Sequence, residues 1–484
     1  RTHSLRVRAI LVAHRRFLCK LEREKNMLRV NSLLFNIFKN NLRQFSAQPT
    51  TVNSNKNWLN LTKKSSNQFQ THCDVLVIGG GCMGSSIAYW LKQKARDGLN
   101  VVVVEKDPSY SEASTVLSVG GVRQQFSLPE NIEMSLFGSE FIRNAQNNLN
   151  GAELNFTPHG YLVLASEEGA ETLTNNSALQ NELGARNELL TAERLRHKFP
   201  WLNTDGIVLG CHGLEKEGWF DPWAFLMGFK QCSISYGAHY VDGEVISFEF
   251  GNQADMVGED SYKSLDKAVV RTKDGEIRTI KFAICVIAAG PNSGKVARLA
   301  NIGTGTGILS VPLPVEPRKR YVYVISSQGT NCPPMGTPLT IDPDGTYFRC
   351  DALSGNFLCG RSPAFGAEPK VDSLDVDHEY FETDVWPSLA ARVKSFESAK
   401  VNSSWAGFYE YNVFDENGII GAHPYYNNLY IAAGFSGHGI QQAPAVGRAL
   451  SELIIDGRYR TIDLTRLGFD RILLDKPMFE SNIV

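Results

Sequence analysis

No apolar run in this 484-residue chain approaches the ~20 residues that a membrane-crossing helix needs. The protein is therefore expected to be soluble, or at most peripheral to a membrane. A surplus of charge is missing too. The 49 Lys+Arg and 51 Asp+Glu leave a formal net charge of −2, whereas a dedicated nucleic-acid binder carries a strong basic excess. No nucleic-acid partner is expected. Cysteine is sparse and unpatterned: nine residues, at 19, 73, 82, 211, 232, 285, 332, 350 and 359, form no CxxC and no zinc-ligand spacing with histidine. No metal site is expected, and an odd count suits free, mostly buried thiols in a reducing compartment. What is present is ordinary: 43% hydrophobic, 21% charged and 10% aromatic residues. Collagen-like, wholly disordered and small disulfide-stapled classes are excluded. The length allows about two or three domains.

Acidic residues are also absent from Lys25 to Cys73. Residues 1–73 hold fourteen Lys/Arg against Glu22 and Glu24, a net of +12, so the remainder carries −14. Met27 is a plausible start. On a helix, Val30, Leu33, Leu34, Ile37, Phe38, Leu42 and Phe45 fall on one side, with Arg29, Lys39 and Arg43 on the other. A basic, amphipathic, acid-free segment predicts a mitochondrial transit peptide, and Arg43-Gln44-Phe45-Ser46 resembles a matrix-protease site. The competing reading is a plain basic tail. Cleavage near Ser46 would leave Lys56, Lys63 and Lys64, hence −14 + 3 = −11 for the mature chain.

The first chemical motif begins at Asp74. Asp74-Val75-Leu76-Val77-Ile78 reads as a buried parallel strand and runs into Gly79-Gly80-Gly81-Cys82-Met83-Gly84. Helical spacing follows through Leu91, then a second buried strand, Val101–Val104, ending in Glu105. This is the complete βαβ dinucleotide fingerprint. Gly79 permits the tight turn, Gly81 the approach of a pyrophosphate, and Gly84 the packing of helix on strand. The helix N-terminus offers N–H groups and partial positive charge to phosphate. Glu105 suits ribose hydroxyls and disfavours a 2′-phosphate. Gly303-Thr304-Gly305-Thr306-Gly307 lacks this spacing and reads as a flexible loop.

The fingerprint alone leaves FAD and NAD open. Two later strands end in small residues: Phe282–Ala288 before Ala289-Gly290, and Leu429–Ala433 before Gly434. The second leads through Phe435-Ser436-Gly437-His438-Gly439 into a helix predicted from Ala445 to Ile454. A second glycine-rich helix N-terminus suits a reduced, anionic flavin ring, and FAD is long enough to need both ends.

In this order, these motifs resemble the D-amino-acid oxidase/sarcosine oxidase (DAO) family of FAD enzymes, over about residues 70–484. Within it the likeness is to a mitochondrial branch associated with assembly of respiratory complex I. Supporting stretches include Leu117–Asn131, Glu217–Trp223 and Pro314–Tyr323. The resemblance implies an α/β (α+β overall) fold. A discontinuous Rossmann-type FAD-binding domain is expected at 74–150, 212–307 and 408–465. A mainly antiparallel substrate domain is expected at 151–211 and 308–407, followed by a tail at 466–484. It implies cofactor contacts from Gly79, Gly80, Gly81, Met83, Gly84, Glu105, Ser114, Thr115, Gly290, Gly434, Gly437, His438 and Gly439, with Val245 holding adenine through its backbone. The partners it implies are a small amine or amino acid and complex I subunits or assembly intermediates. Peripheral contact with the inner membrane from the matrix side is compatible with this.

Departures from the family pattern are equally informative. Ser114-Thr115-Val116 is followed by Leu117 where covalently flavinylated relatives have histidine. Gly407-Phe408-Tyr409 supplies no cysteine at the alternative attachment point. FAD is therefore expected to be noncovalent. Gln441-Gln442 stand where sarcosine-type oxidases place a lysine for the substrate carboxylate. That leaves Arg123 as the matching cation, with a structural ion pair as the alternative, and Gln441 as a neutral contact. For His438, a turn-stabilising or flavin-facing role outweighs proton transfer. In Arg318-Lys319-Arg320, strand alternation sets Lys319 opposite its neighbours, and two of the three are expected in solvent. No catalytic residue is assigned. Two functions are compatible with these motifs: an FAD-dependent amine or amino-acid dehydrogenase, and a non-catalytic FAD-binding assembly factor. A sarcosine- or dimethylglycine-type dehydrogenase unconnected with complex I is a third possibility.

Overall fold

The computed structural model describes residues 69–252, 263–327, 331–351, 355–364 and 366–481. The expected start at Met27 and the segment Met27–Ser46 lie outside them. The chain divides into two units, Arg1–Phe69 with Glu452–Arg458 and Gln70–Ser451 with Tyr459–Val484. The second contains both large sheets and every candidate site residue.

The valine run Val101–Val104 is at most 2% exposed at any position, as a strand covered on both faces must be. It pairs parallel with Val75–Ile78. Ile78 in turn neighbours Ile287, and Ile287 neighbours Ile431, both in parallel register. The strand Ile419–Ala422 closes this edge antiparallel. On the other side, Val102–Glu105 pairs parallel with His239–Asp242. The chain then runs an antiparallel meander through Lys263–Thr272 and back to Ile277–Lys281, so that one strand serves meander and parallel layer in turn. The result is a mixed seven-stranded sheet.

The second sheet has eight strands, built on the long antiparallel pairing of Val315–Ser326 with Lys400–Asn412. Tyr321, Tyr323 and Ile325 face a core with Phe348, Phe357 and Phe396, while Val322, Val324 and Leu358 pack on the opposite side with Val119 and Trp405. The expected domain boundaries at 211/212 and 407/408 fall inside the strands Leu209–Gly213 and Lys400–Asn412. Strand ends follow cross-strand pairing, which a sequence motif does not mark. The expected strands at 160–165 and 320–325 form as Tyr161–Ala165 and part of Val315–Ser326.

The helix predicted from Ala445 starts at Gly439 and runs to Asp456, with Pro444 inside it. The interior proline removes one backbone bond, which placed the expected start too late. Ser86 Oγ of the helix Cys82–Ala95 donates to Ala443 O at 2.7 Å, and a Cβ on Gly447 would lie 2.3 Å from that hydroxyl. The two glycine-preceded helices therefore touch near their starts. All eight described cysteines are free, seven of them buried. Among the described residues no helix is long and apolar enough to cross a membrane.

Candidate cofactor and substrate site

Three adjacent parallel strands leave the seven-stranded sheet through glycines in the left-handed region. These are Gly79 (φ +102°), Gly290 (φ +53°) and Gly434 (φ +80°). Ligands of open α/β sheets bind at this carboxyl edge. Two of the fingerprint glycines are fixed by the protein itself: a Cβ on Gly79 would meet Ala288 O at 2.3 Å, and one on Gly84 would meet Gly79 O at 1.9 Å. Gly81 differs. It is the helix N-cap with no side-chain cap, and a Cβ there would meet only Thr115 Oγ1, at 3.6 Å, among the described residues. Among the described residues nothing lies within 4 Å of a Cβ on Gly290. The space beside these two glycines is open.

Glu105 stands over the turn. Gly80 N donates to its Oε2 at 2.7 Å and Asp107 N to its Oε1 at 2.8 Å. Burial raises its pKa. Each oxygen retains a lone pair, so acceptor capacity for ribose hydroxyls remains. Cys82 N donates to Thr115 Oγ1 at 3.1 Å, and the Ser114 hydroxyl donates to Phe408 O. Ser114 and Thr115 thereby clip the helix start to the strand Lys400–Asn412. Met83 is buried within the first helical turn. Val245 is buried beside a bulge in the meander.

The turn Gly434–Gly439 is built around Glu410, a residue the sequence reading missed. Gly434 N donates to Glu410 Oε2 at 3.0 Å, and Ser436 N to Glu410 O at 2.8 Å. A Cβ on Gly439 would lie 3.3 Å from Glu410 Oε1. Burial pushes the Glu410 carboxyl up to about 7, against the lowering pull of the Gly434 and Phe435 N–H groups. Gly437 (φ +93°) is exposed, with Tyr409 Cδ2 at 4.0 Å from its Cβ position. Half-buried His438 sits edge-on to Phe126, ring centroids 5.1 Å apart. Burial, and then the nearby Arg123, hold its imidazole down at about 3, so it is neutral near pH 7.

Arg123 is 7% exposed. Its backbone N–H donates to Gln441 Oε1 at 2.7 Å, and its guanidinium lies 5.0 Å from the Phe126 ring centre. No hydrogen bond or ion pair joins that guanidinium to another described residue. Burial lowers its pKa, while Tyr161, Glu480 and Glu217 pull it upward. Tyr161 is buried, and desolvation raises its phenol to about 12. Gln441 is thus given to the arginine loop through its carbonyl oxygen. Gln442 donates to Asn131 Oδ1 at 3.1 Å.

The Arg318–Arg320 cluster departs from expectation. Lys319 is the buried member, 5% exposed, its ammonium 6.0 Å from the Tyr321 ring centre. Arg318 and Arg320 are not left to solvent either. Both pair with Glu368, Arg320 through two bonds at 2.7 and 3.0 Å. Arg320 also donates to Tyr409 Oη at 2.8 Å, which brings its charge beside the Gly437 turn but already neutralised. Glu368 lies in a loop without periodicity, and nothing in the sequence placed it there.

The residues fit FAD. An uncapped helix N-terminus, open space at Gly81 and Gly290 and the Glu105 carboxylate suit a dinucleotide end, and the Gly437 turn suits the ring end. Residues 74–453 match the family described as FAD dependent oxidoreductase (DAO). The chain belongs to this family. It is 58% identical over 425 residues to the FAD-dependent oxidoreductase domain-containing protein 1 homolog of Drosophila melanogaster, covering 86% of this chain and 82% of that one. Over 425 residues it is 46% identical to the Bos taurus FAD-dependent oxidoreductase domain-containing protein 1, covering 85% and 87%. Among solved structures, L-proline dehydrogenase from P. horikoshii superposes with a TM-score of 0.70 at 25% identity, over 85% of this chain and all (100%) of that one. The DAO fold explains the sheet pair: an α/β layer presents glycine turns, and a mixed, largely antiparallel sheet stands beside them.

Proposed function

We propose that this FAD-dependent oxidoreductase acts on a small amine or amino acid, removing hydride from a carbon bonded to nitrogen. The chemistry that FAD supplies when bound is acceptance of that hydride. One observation carries the substrate half: the guanidinium of buried Arg123 makes no hydrogen bond or ion pair with another described residue, and its near neighbour is the Phe126 ring. A buried cation left unpaired is costly, and a carboxylate ligand would relieve it. Neutral His438 and the buried Tyr161 phenol stand near it, and the carboxyls of Glu217 and Glu480 act on it from a distance without a direct ion pair. Similar proteins are named for such substrates, monomeric sarcosine oxidase of Bacillus sp. among them, at 21% identity over 427 residues.

We further propose that FAD is held noncovalently. Leu117 stands where flavinylated relatives have histidine, the alternative attachment neighbourhood reads Gly407-Phe408-Tyr409, and a Cβ on Gly407 would lie 3.0 Å from Leu117 Cβ. Neither place offers a histidine or a cysteine. The basic, acid-free segment supports a mitochondrial location, at the matrix or matrix face of the inner membrane. The resemblance to the complex I branch supports a role in complex I assembly. A non-catalytic assembly role is favoured by one feature, the use of Gln441 to hold a loop in place of a substrate-binding lysine.

The test is anaerobic mixing of the FAD-loaded protein with free and N-methyl amino acids. Flavin bleaching by one of them is expected, and no bleaching by any contradicts the dehydrogenase reading. For the assembly half, cells carrying Gly81→Glu are expected to lose complex I. Normal complex I in those cells would contradict a need for the cofactor.

A further inference from the structure

The segment Arg123–Leu128 has no regular secondary structure, yet all six residues are buried or half-buried. Side chains from distant parts of the chain hold it. Gln441 takes Arg123 N, and Glu217 takes Gln124 N at 2.8 Å and Gln125 Nε2 at 3.0 Å. Gln180 donates to Phe126 O at 2.7 Å. Ser127 and Leu128 are held by Glu480, whose Oε2 accepts from Ser127 N, Ser127 Oγ and Leu128 N, and whose Oε1 accepts from Asn131 Nδ2.

Glu480 therefore satisfies N–H groups at the start of the helix Pro129–Arg143, which has no side-chain cap from its own N-cap residue, Leu128. Its tail is anchored on both sides. Met478 N donates to Asp415 Oδ2 at 3.0 Å, Asp415 is paired with buried Arg471, and Ser481 N returns to Ser127 Oγ at 2.7 Å. The exposed Phe479 lies between these anchors. Three of the holding side chains come from the folded body, and only Glu480 arrives on a terminal strap.

We propose that Glu480 is a positioning residue for the substrate: by clamping Ser127 and Leu128 it fixes the loop that begins at Arg123, and so sets where the guanidinium meets a carboxylate. This rests on the reading of Arg123 as a carboxylate-binding group. Bonds to a charged acceptor are roughly twice as strong as neutral ones, and a displacement of about 1 Å at a positioning group costs up to about a hundredfold.

The experiment titrates FAD-loaded full-length protein with benzoate and with its neutral counterpart benzamide, followed by the flavin difference spectrum. E480A is expected to weaken benzoate binding about tenfold. E480Q, which keeps one acceptor oxygen, should give a smaller loss. Benzamide binding and FAD retention should be unchanged. Should E480A not yield soluble protein, E480Q carries the comparison. Wild-type benzoate affinity in the Glu480 variants, with R123M weakened, overturns the role of Glu480 alone. Equal loss for benzamide also overturns it. Wild-type affinity in R123M, or no benzoate binding by the wild type, overturns the carboxylate site and this inference with it.

Discussion

The backbone N–H of Arg123 donates to Gln441 Oε1 at 2.7 Å, joining two residues 318 positions apart. The contact gives Gln441 a structural role in the loop that carries Arg123. The neutral amide after the Gly-His-Gly turn builds the loop that carries the cation, and the Arg123 guanidinium makes no hydrogen bond or ion pair with another described residue. A charge-assisted hydrogen bond contributes about 1.5–3 kcal/mol, or roughly tenfold to a hundredfold in affinity. R123M is therefore expected to weaken carboxylate binding by that factor and leave FAD affinity unchanged, as read by flavin difference titration. Equal affinity in R123M would remove the carboxylate site.

The glycines of the fingerprint divide by what surrounds them. Gly84→Ala would place a Cβ 1.9 Å from Gly79 O, so it is expected to unfold or strongly destabilise the protein. Gly81→Ala meets no such clash. Its thermal midpoint without FAD should match the wild type, while its FAD affinity falls because the added methyl occupies the space of a phosphate. Calorimetry and flavin-fluorescence quenching would separate the two effects.

Buried titratable groups set opposite pH trends. His438 is held at about 3, below the ordinary 6.5; the unfolded chain binds its proton first, so stability is lost as pH falls from 6.5 towards 3. Glu410 and Glu217 are both pushed up to about 7 by burial, from 4.5. Their contribution is present below 4.5 and lost as pH rises through 7. E410Q is therefore expected to match the wild type in melting temperature at pH 4 and to exceed it at pH 8. H438Q should exceed it at pH 4 and match it at pH 8. Melting curves across this range check both signs.

Arg320 is neutralised by Glu368 through two bonds. E368Q should free its charge beside Tyr409 and the Gly437 turn. A second carboxylate is then expected to find a partner, so that a dicarboxylate such as succinate gains affinity over acetate in E368Q and not in the wild type. Parallel titrations of both acids would show it.

Much of the cofactor half was legible because its signals are local. Gly79, Gly84 and Glu105 fall within one βαβ unit, whose spacing fixes their geometry. The order of the motifs named the family, and the run Val101–Val104 announced a strand covered on both faces. The carboxylates that hold the turns and loops around the site were not legible in this way. Glu410, Glu217, Glu368 and Glu480 act on groups 24, 93, 48 and 353 residues away, and such long-range pairings leave no periodicity to read. The helix start at Gly439 was hidden for another reason: Pro444 stands inside the helix, where local rules expect a break.

FAD is predicted to be held, without a covalent bond, at the carboxyl edge of the seven-stranded sheet. The visible spectrum of the purified protein, before and after acid precipitation, tests it most directly. A flavin spectrum that passes wholly into the supernatant is predicted. Colourless protein that takes up no added FAD, or flavin that stays with the precipitate, would contradict it.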